Sequence, residues 1–285
     1  MNLTILSALK IGEDSLKKAK FENYKRETKE LLEDVTGLTP EEIFLLNNKK
    51  IGLSKTKKFL KKIQRRINGE PIQYITKKGY FFSRTFSISK GVLVPRPETE
   101  ILVEKILKTK WEKNKITCLD MCAGSGCIGI TLALEDKRFK EITLADRSTK
   151  ALKCCEVNIL NFKVSKKTEI IKTNFFSNIH GKKFDLICSN PPYVSSNEYK
   201  YLDESIKNYE PKLALISKDN GLGHLKHIAK EGRKYLKKNG TIFFEIGINQ
   251  LKEVENILNC FGYSELLSYN DLNKVKRIVS AKWKN

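Results

Sequence analysis

The sequence predicts an α/β fold: a mainly parallel sheet covered by helices on both faces, preceded by a small helical module and a β-hairpin. Three observations predict it. Beyond Trp111, short apolar runs suited to buried strands alternate with stretches of helical spacing, the pattern of a doubly wound sheet. One of those runs ends in a glycine-rich turn, Cys122-Ala123-Gly124-Ser125-Gly126, and another in Ser189-Asn190-Pro191-Pro192-Tyr193. Ahead of Tyr74, apolar residues recur instead at helical intervals, as in Leu3, Leu6 and Leu9 and in Leu31, Leu32 and Val35.

At 285 residues, one large domain plus a small one is the default. Lys and Arg outnumber Asp and Glu 54 to 33, and the formal charge of +21 favours an anionic partner such as RNA, a ribonucleoprotein or an acidic protein surface. Lysine spread over solvated faces accounts for it equally well. The seven cysteines are odd in number and sit mainly in apolar runs, as buried thiols do in a reducing compartment, so disulfides are not expected. Cys118, Cys122 and Cys127 fall on strand, turn and helix with no paired C-x-x-C, and no metal is expected. The first residues lack a basic leader with a long apolar core, and no run approaches about 18 apolar residues. A soluble cytoplasmic protein without membrane association is the expectation.

Residues 1–75 form the helical module. Thr39 is placed to cap a helix, with Pro40 in its first turn. The last helix of the module, near 54–67, carries seven cations and no acid, which reads as a solvated face or a binding face; no aromatic residue is interleaved for stacking on bases. Residues 76–95 alternate as a hairpin linker, with Tyr80-Phe81-Phe82 and Phe86-Ser87-Ile88 as its arms. From 96 onward strands are predicted near 116–120, 142–146, 168–172, 184–188, 241–246, 264–269 and 276–282, and helices near 126–135, 148–160, 222–238 and 249–260. The last two strands have no helix between them and must pair antiparallel. Seven strands ending in an antiparallel pair outline a Rossmann-like methyltransferase domain.

The glycine turn gives a backbone able to approach a ligand closely, at a helix end whose free N–H groups point outward. Asp146, about 20 residues on, stands where a carboxylate accepts ribose hydroxyls, so a nucleoside-bearing ligand is implied. The stretch also matches G-x-G-x-x-G, the dinucleotide fingerprint. Asp120 decides between the two, because a carboxylate at the strand end repels a pyrophosphate yet pairs with the amino group of S-adenosylmethionine. In Thr173-Asn174-Phe175-Phe176, Phe175 suits packing on adenine, and two core phenylalanines fit as well.

Asn190, Pro191, Pro192 and Tyr193 make a stiff turn of acceptors with an aromatic wall, a pocket for a planar group bearing an NH2. In a doubly wound sheet the first and fourth strands are neighbours at the topological switch, so this turn and the glycine turn belong to one crevice. Arg96, held between Pro95 and Pro97, reads as a fixed lining residue. Glu245, inside an apolar strand, is a site residue or a paired structural acid, and His224 and His227 read as surface histidines.

With Val94 to Glu100, Leu119 to Gly126, Ser189 to Tyr193, Gly69 to Tyr74 and Tyr209-Glu210-Pro211 together, the chain resembles the release-factor glutamine methyltransferases. The resemblance implies transfer of a methyl group from S-adenosylmethionine, leaving S-adenosylhomocysteine, to the side-chain amide of the glutamine in the Gly-Gly-Gln loop of class-1 peptide chain release factors. It implies Asn190, Pro191 and Tyr193 as catalytic residues and, with Pro192, the substrate pocket. Asp120, Cys122, Ala123, Gly124, Ser125, Gly126, Asp146, Phe175 and Asn190 would hold the methyl donor. The helical module would recognise the substrate protein; a monomer without obligatory nucleic acid is expected. Cys122 departs from the family, which has glycine there, and is strained if φ is positive. A ribosomal-protein glutamine methyltransferase and an adenine-N6 methyltransferase on DNA or RNA are the alternatives.

Overall fold

The structure, a computed structural model, describes residues 2–284. It comprises two compact units, one up to Lys78 and one from Gly79 onward.

The first unit holds α1 (Ile5–Lys18), α2 (Tyr24–Thr36), α3 (Pro40–Leu45), α4 (Leu53–Ile67) and α5 (Ile72–Thr76). Thr4 caps α1 by accepting from the Ser7 amide, and Thr39 with Glu42 forms a capping box around Pro40, as predicted. Leu16, Leu31, Leu32 and Phe59 meet in the core. Gly12 permits the close approach of α1: a Cβ there would lie 2.5 Å from Thr28 Cγ2. The basic helix α4 proves to be divided. Arg66 donates to Glu27 at 2.6 Å, Arg65 to Glu70 at 2.6 Å and Lys62 to Asp34 at 2.5 Å, while Lys57, Lys58 and Lys61 face solvent. The balancing acids come from other stretches of the same unit, which is why inspection of α4 alone makes it look wholly unneutralised.

The hairpin β1 (Lys78–Phe81) and β2 (Arg84–Ser87) starts at the boundary residue Lys78, and α6 (Pro97–Lys108) follows it in the second unit. The sheet strands are β3 (Ile116–Met121), β4 (Phe139–Asp146), β5 (Thr168–Lys172), β6 (Phe184–Ser189), β7 (Leu236–Glu245), β8 (Ser264–Asn270) and β9 (Lys276–Trp283), covered by α7 (Cys127–Glu135), α8 (Thr149–Asn161), α11 and α12 (Leu251–Cys260) once the short α9 (Glu204–Tyr209) and α10 (Lys212–Leu215) have been passed. Helix α11 spans Gly223–Gly232. Strand order is β5-β4-β3-β6-β7-β9-β8, with β9 antiparallel to both neighbours and the others parallel. This is the predicted seven-stranded architecture. Leu119, Ile187, Phe244, Val254 and Leu258 belong to its main core.

Strand β4 begins at Phe139 rather than at 142, and the largest difference falls between α11 and β7. The helix predicted to run to 238 stops at Gly232, and the strand predicted from 241 starts at Leu236. The Phe184 amide donates to Tyr235 O at 2.7 Å and Phe184 pairs with Leu236, so β6 recruits the segment into the sheet; Asn239, at φ 61°, absorbs the register shift that follows. Among the described residues no helix is long and apolar enough to cross a membrane.

Candidate active site

Parallel pairing of β3 with β6 sets Met121 opposite Ser189, and the Ser189 hydroxyl donates to Met121 O at 2.5 Å. The glycine turn and the Asn-Pro-Pro-Tyr turn therefore leave the sheet side by side. A cavity of about 270 Å³ opens over them, lined on its other flank by Gly91, Val92, Leu93, Pro95 and Arg96 ahead of α6 and by Thr99.

On the glycine side, Cys122, Gly124 and Gly126 all have positive φ, at 63°, 58° and 80°. Cys122 thus occupies the strained region its side chain disfavours. At Gly126 a Cβ would lie 2.6 Å from Cys155 Sγ, and at Gly129 2.4 Å from Leu144 Cδ2, so α7 can sit this close to its surroundings only without those carbons. Asp120, wholly buried, accepts from the Gly129 amide at 2.9 Å through Oδ2, while its Oδ1 has no partner. Burial pushes its carboxyl up to about 7, with Asp146 adding to the effect. Asp146 accepts from the Gly124 amide at 3.0 Å and the Ser148 amide at 2.8 Å, and burial raises its pKa as well. Phe175, also at positive φ (56°), projects its ring against His227 (4.3 Å between centroids) and His224 (5.3 Å).

On the Asn190 side the side chains are linked in series. Asn190 Nδ2 donates to Thr99 Oγ1 at 3.0 Å, and the Thr99 hydroxyl donates to Glu245 Oε2 at 2.6 Å. The Tyr193 hydroxyl donates to Glu245 Oε1 at 3.2 Å and accepts from Arg277 Nη2 at 2.9 Å, the guanidinium lying 5.3 Å over the ring. Burial, with the Glu245 charge, pushes the Tyr193 phenol well above its ordinary range. Burial also raises Glu245, against the pull of Thr99 and Arg277. The turn itself is braced from behind: Gln250 Nε2 donates to Tyr193 O at 3.0 Å, and Gly221 packs so closely that a Cβ would lie 2.2 Å from that oxygen.

Of the residues singled out in the sequence, Cys122, Ala123, Gly124, Ser125, Asp146, Phe175, Asn190, Pro192 and Arg96 line the cavity. Asp120, Gly126, Pro191 and Tyr193 stand behind or beside it, outside the lining. Arg96 spans to Glu210, bonding at 2.6 Å to a side chain only 2 % exposed. His224, read as a surface residue, instead lines the cavity, half-buried, with Nδ1 2.8 Å from Ser217 Oγ. Arg277 was missed, and so were two further contributors. Neither Thr99, in the entry to α6, nor Asn158, within α8, stands out in the sequence; Asn158 bonds both Ser125 O at 2.9 Å and the Ser87 amide at 2.7 Å, tying the glycine turn to the hairpin. No local pattern marks either, since both partners are distant in sequence.

Residues 7–76 match the family described as the PrmC N-terminal domain, and residues 96–212 that described as the methyltransferase small domain. A release factor glutamine methyltransferase of Clostridium acetobutylicum is 34% identical over 270 residues, covering 93% of this chain and 94% of that protein. A bifunctional methyltransferase of Rickettsia typhi is 33% identical over 98% of this chain, which spans 57% of that longer relative. A methyltransferase structure from Pyrococcus furiosus shares the fold, with a TM-score of 0.54, 14% identity, and coverage of 78% of this chain and 98% of that one. With one family model matched in each unit and a relative aligned over nearly its whole length, the chain belongs to the release factor glutamine methyltransferase family.

Proposed function

We infer that the protein methylates the side-chain amide nitrogen of the Gly-Gly-Gln glutamine in class-1 peptide chain release factors, using S-adenosylmethionine. The observation that carries the reading is the orientation of Asn190: its amide nitrogen is engaged by Thr99, so its oxygen is the atom left to accept from a ligand in the cavity. A primary carboxamide offers the N–H that such an acceptor needs.

The residues on the glycine side fit the methyl donor. Asp120 stands behind the cavity wall with Oδ1 unpartnered, and an ammonium reaching past the glycine turn would give this acceptor its cation. Asp146 stands at the cavity wall with both oxygens already oriented by backbone amides, each retaining a lone pair for a hydroxyl. When bound, S-adenosylmethionine supplies an electrophilic methyl group; nitrogen bonds to that carbon as the carbon–sulfur bond breaks and its electron pair goes to sulfur.

The protein's part is positioning. An amide nitrogen is a poor nucleophile because its lone pair is delocalised into the carbonyl. Acceptance of one N–H by Asn190 Oδ1 and of the other by the Pro191 carbonyl would fix the nitrogen and direct that lone pair along one line. No strong base is required beforehand, since the nitrogen becomes acidic once methylated and releases its proton then. Tyr193, its hydroxyl anchored, limits the plane the carboxamide adopts.

Radiolabelled S-adenosylmethionine, offered with a purified class-1 release factor, with the same factor carrying alanine for the Gly-Gly-Gln glutamine, and with adenine-containing DNA or RNA, tests the reading. Label in the intact factor alone is the expected result. Label in nucleic acid, or in the alanine-bearing factor to the same extent, overturns it.

A further inference from the structure

We propose that Glu245 is the positioning residue for Asn190 and Tyr193: a single buried carboxylate at the end of β7 sets which way round the Asn190 amide sits, through Thr99, and holds the Tyr193 hydroxyl directly. The proposal rests on the glutamine-amide reading above.

The two ends of an asparagine amide are nearly the same size, so sterics do not choose between them; hydrogen-bond partners do. A lone Thr99 hydroxyl would leave the choice open, because it both donates and accepts. An ionised carboxylate only accepts. With Glu245 Oε2 at 2.6 Å, the single Thr99 hydroxyl proton is committed to the carboxylate, and the Thr99 oxygen must receive rather than give on its other side. Asn190 meets it with Nδ2 at 3.0 Å, and Oδ1 is thereby turned to the cavity. A reversed amide would present two donors to a substrate NH2 that is itself a donor, and no bond would form.

The second arm works alike. Tyr193 gives its proton to Glu245 Oε1 at 3.2 Å and receives from Arg277 at 2.9 Å, so its hydroxyl is held from two directions. Arg277 Nη2 also stands 3.6 Å from the same carboxylate oxygen, a charge that favours the ionised form inside a wholly buried site. Glu245 does not line the cavity, while Thr99 and Asn190 do. Its influence on the reacting nitrogen passes entirely through other side chains.

The test compares Thr99→Val, Thr99→Ser and Glu245→Gln with the wild-type protein, using S-adenosylmethionine and a purified class-1 release factor. A glutamine at 245 can donate to Thr99, which reverses the chain of donors. We expect kcat to fall about hundredfold in Glu245→Gln and Thr99→Val, with KM for the factor and Kd for S-adenosylhomocysteine held within about threefold. Thr99→Ser should return kcat to within about threefold of wild type, because the hydroxyl is restored. Wild-type kcat in a folded Glu245→Gln or in Thr99→Val, or a loss in Thr99→Val that serine does not repair, overturns the proposal. Glu245→Gln strips Arg277 of its counter-charge, so each variant is melted; should that one fail to fold, the Thr99 pair, which alters no charge, decides. If the wild-type protein does not methylate the factor, the functional reading falls by itself. The relay is then read from the Asn190 side-chain amide resonances in nitrogen-15-labelled protein, which must move in Thr99→Val and not in Thr99→Ser; unmoved resonances in Thr99→Val overturn it.

Discussion

The two halves of the crevice are built on opposite plans. The donor half is mostly backbone: Cys122, Gly124 and Gly126 turn through positive φ, and the one wholly buried acid beneath them, Asp120, has an oxygen with no partner. The acceptor half is mostly side chain, with Asn190, Thr99, Glu245, Tyr193 and Arg277 linked end to end. A half with a buried oxygen left over gains most from a charged ligand. A half whose side chains are already committed to each other gains instead from exact geometry, and tolerates little change in any one member. The contrast predicts that changes on the acceptor side act on turnover, and changes on the donor side act on affinity and stability.

The largest effect should come from Asn190→Ala, which removes an acceptor aimed at the reacting group: kcat should drop about 10²- to 10³-fold in a methyl-transfer assay, while calorimetric affinity for S-adenosylhomocysteine changes little. An equal loss of affinity would erase the division between the halves. Asp120→Asn should do the reverse, weakening the same affinity by roughly thirtyfold, as loss of a buried charge pair of about 2 kcal/mol implies, while raising the melting temperature of the ligand-free protein because a desolvated charge has gone.

The same carboxyl gives a pH signature. With its folded-state pKa pushed up to about 7, Asp120 binds its proton more tightly folded than unfolded. Its contribution to ligand-free stability is therefore full in acid and is lost as pH rises from about 4 through about 7. Ligand affinity runs the other way, because a cationic amine prefers the ionised carboxyl. Binding of S-adenosylhomocysteine should strengthen between about pH 6 and pH 8, and Asp120→Asn should flatten that dependence.

Gly126→Ala sharpens the comparison on the backbone side. With φ at 80° and a Cβ 2.6 Å from Cys155 Sγ, the substitution should cost about 2 kcal/mol in denaturant unfolding. Cys122→Gly should have the smallest effect: relief of the φ 63° strain offsets the added freedom of the unfolded chain, leaving stability within about 1 kcal/mol and donor affinity nearly unchanged.

What a local pattern can encode was readable. Alternating apolar runs gave the strand sequence, the Thr39-Pro40 start gave its helix, and the two turns were marked by Gly124, Gly126 and the Pro191-Pro192 pair, because each imposes its own backbone restriction. The β7 start was not readable, since Leu236 joins the sheet only because Phe184 is there to receive it. The alternatives left open for Glu245 could not be narrowed for a related reason: its partners Thr99, Tyr193 and Arg277 lie 146, 52 and 32 positions away.

The sequence by itself determined the order of strands and helices, the two ligand-facing turns and their meeting at adjacent strand ends, because periodicity, glycine and proline act over a few residues. Only the tertiary structure decided that Thr99 stands between Asn190 and Glu245, that Asp120 keeps an oxygen in reserve, and that three of the seven cations of a basic helix are neutralised by acids elsewhere in its own unit. Hydrogen bonds and buried charges are settled by distances of about 3 Å between side chains, and those distances exist only once distant segments have packed.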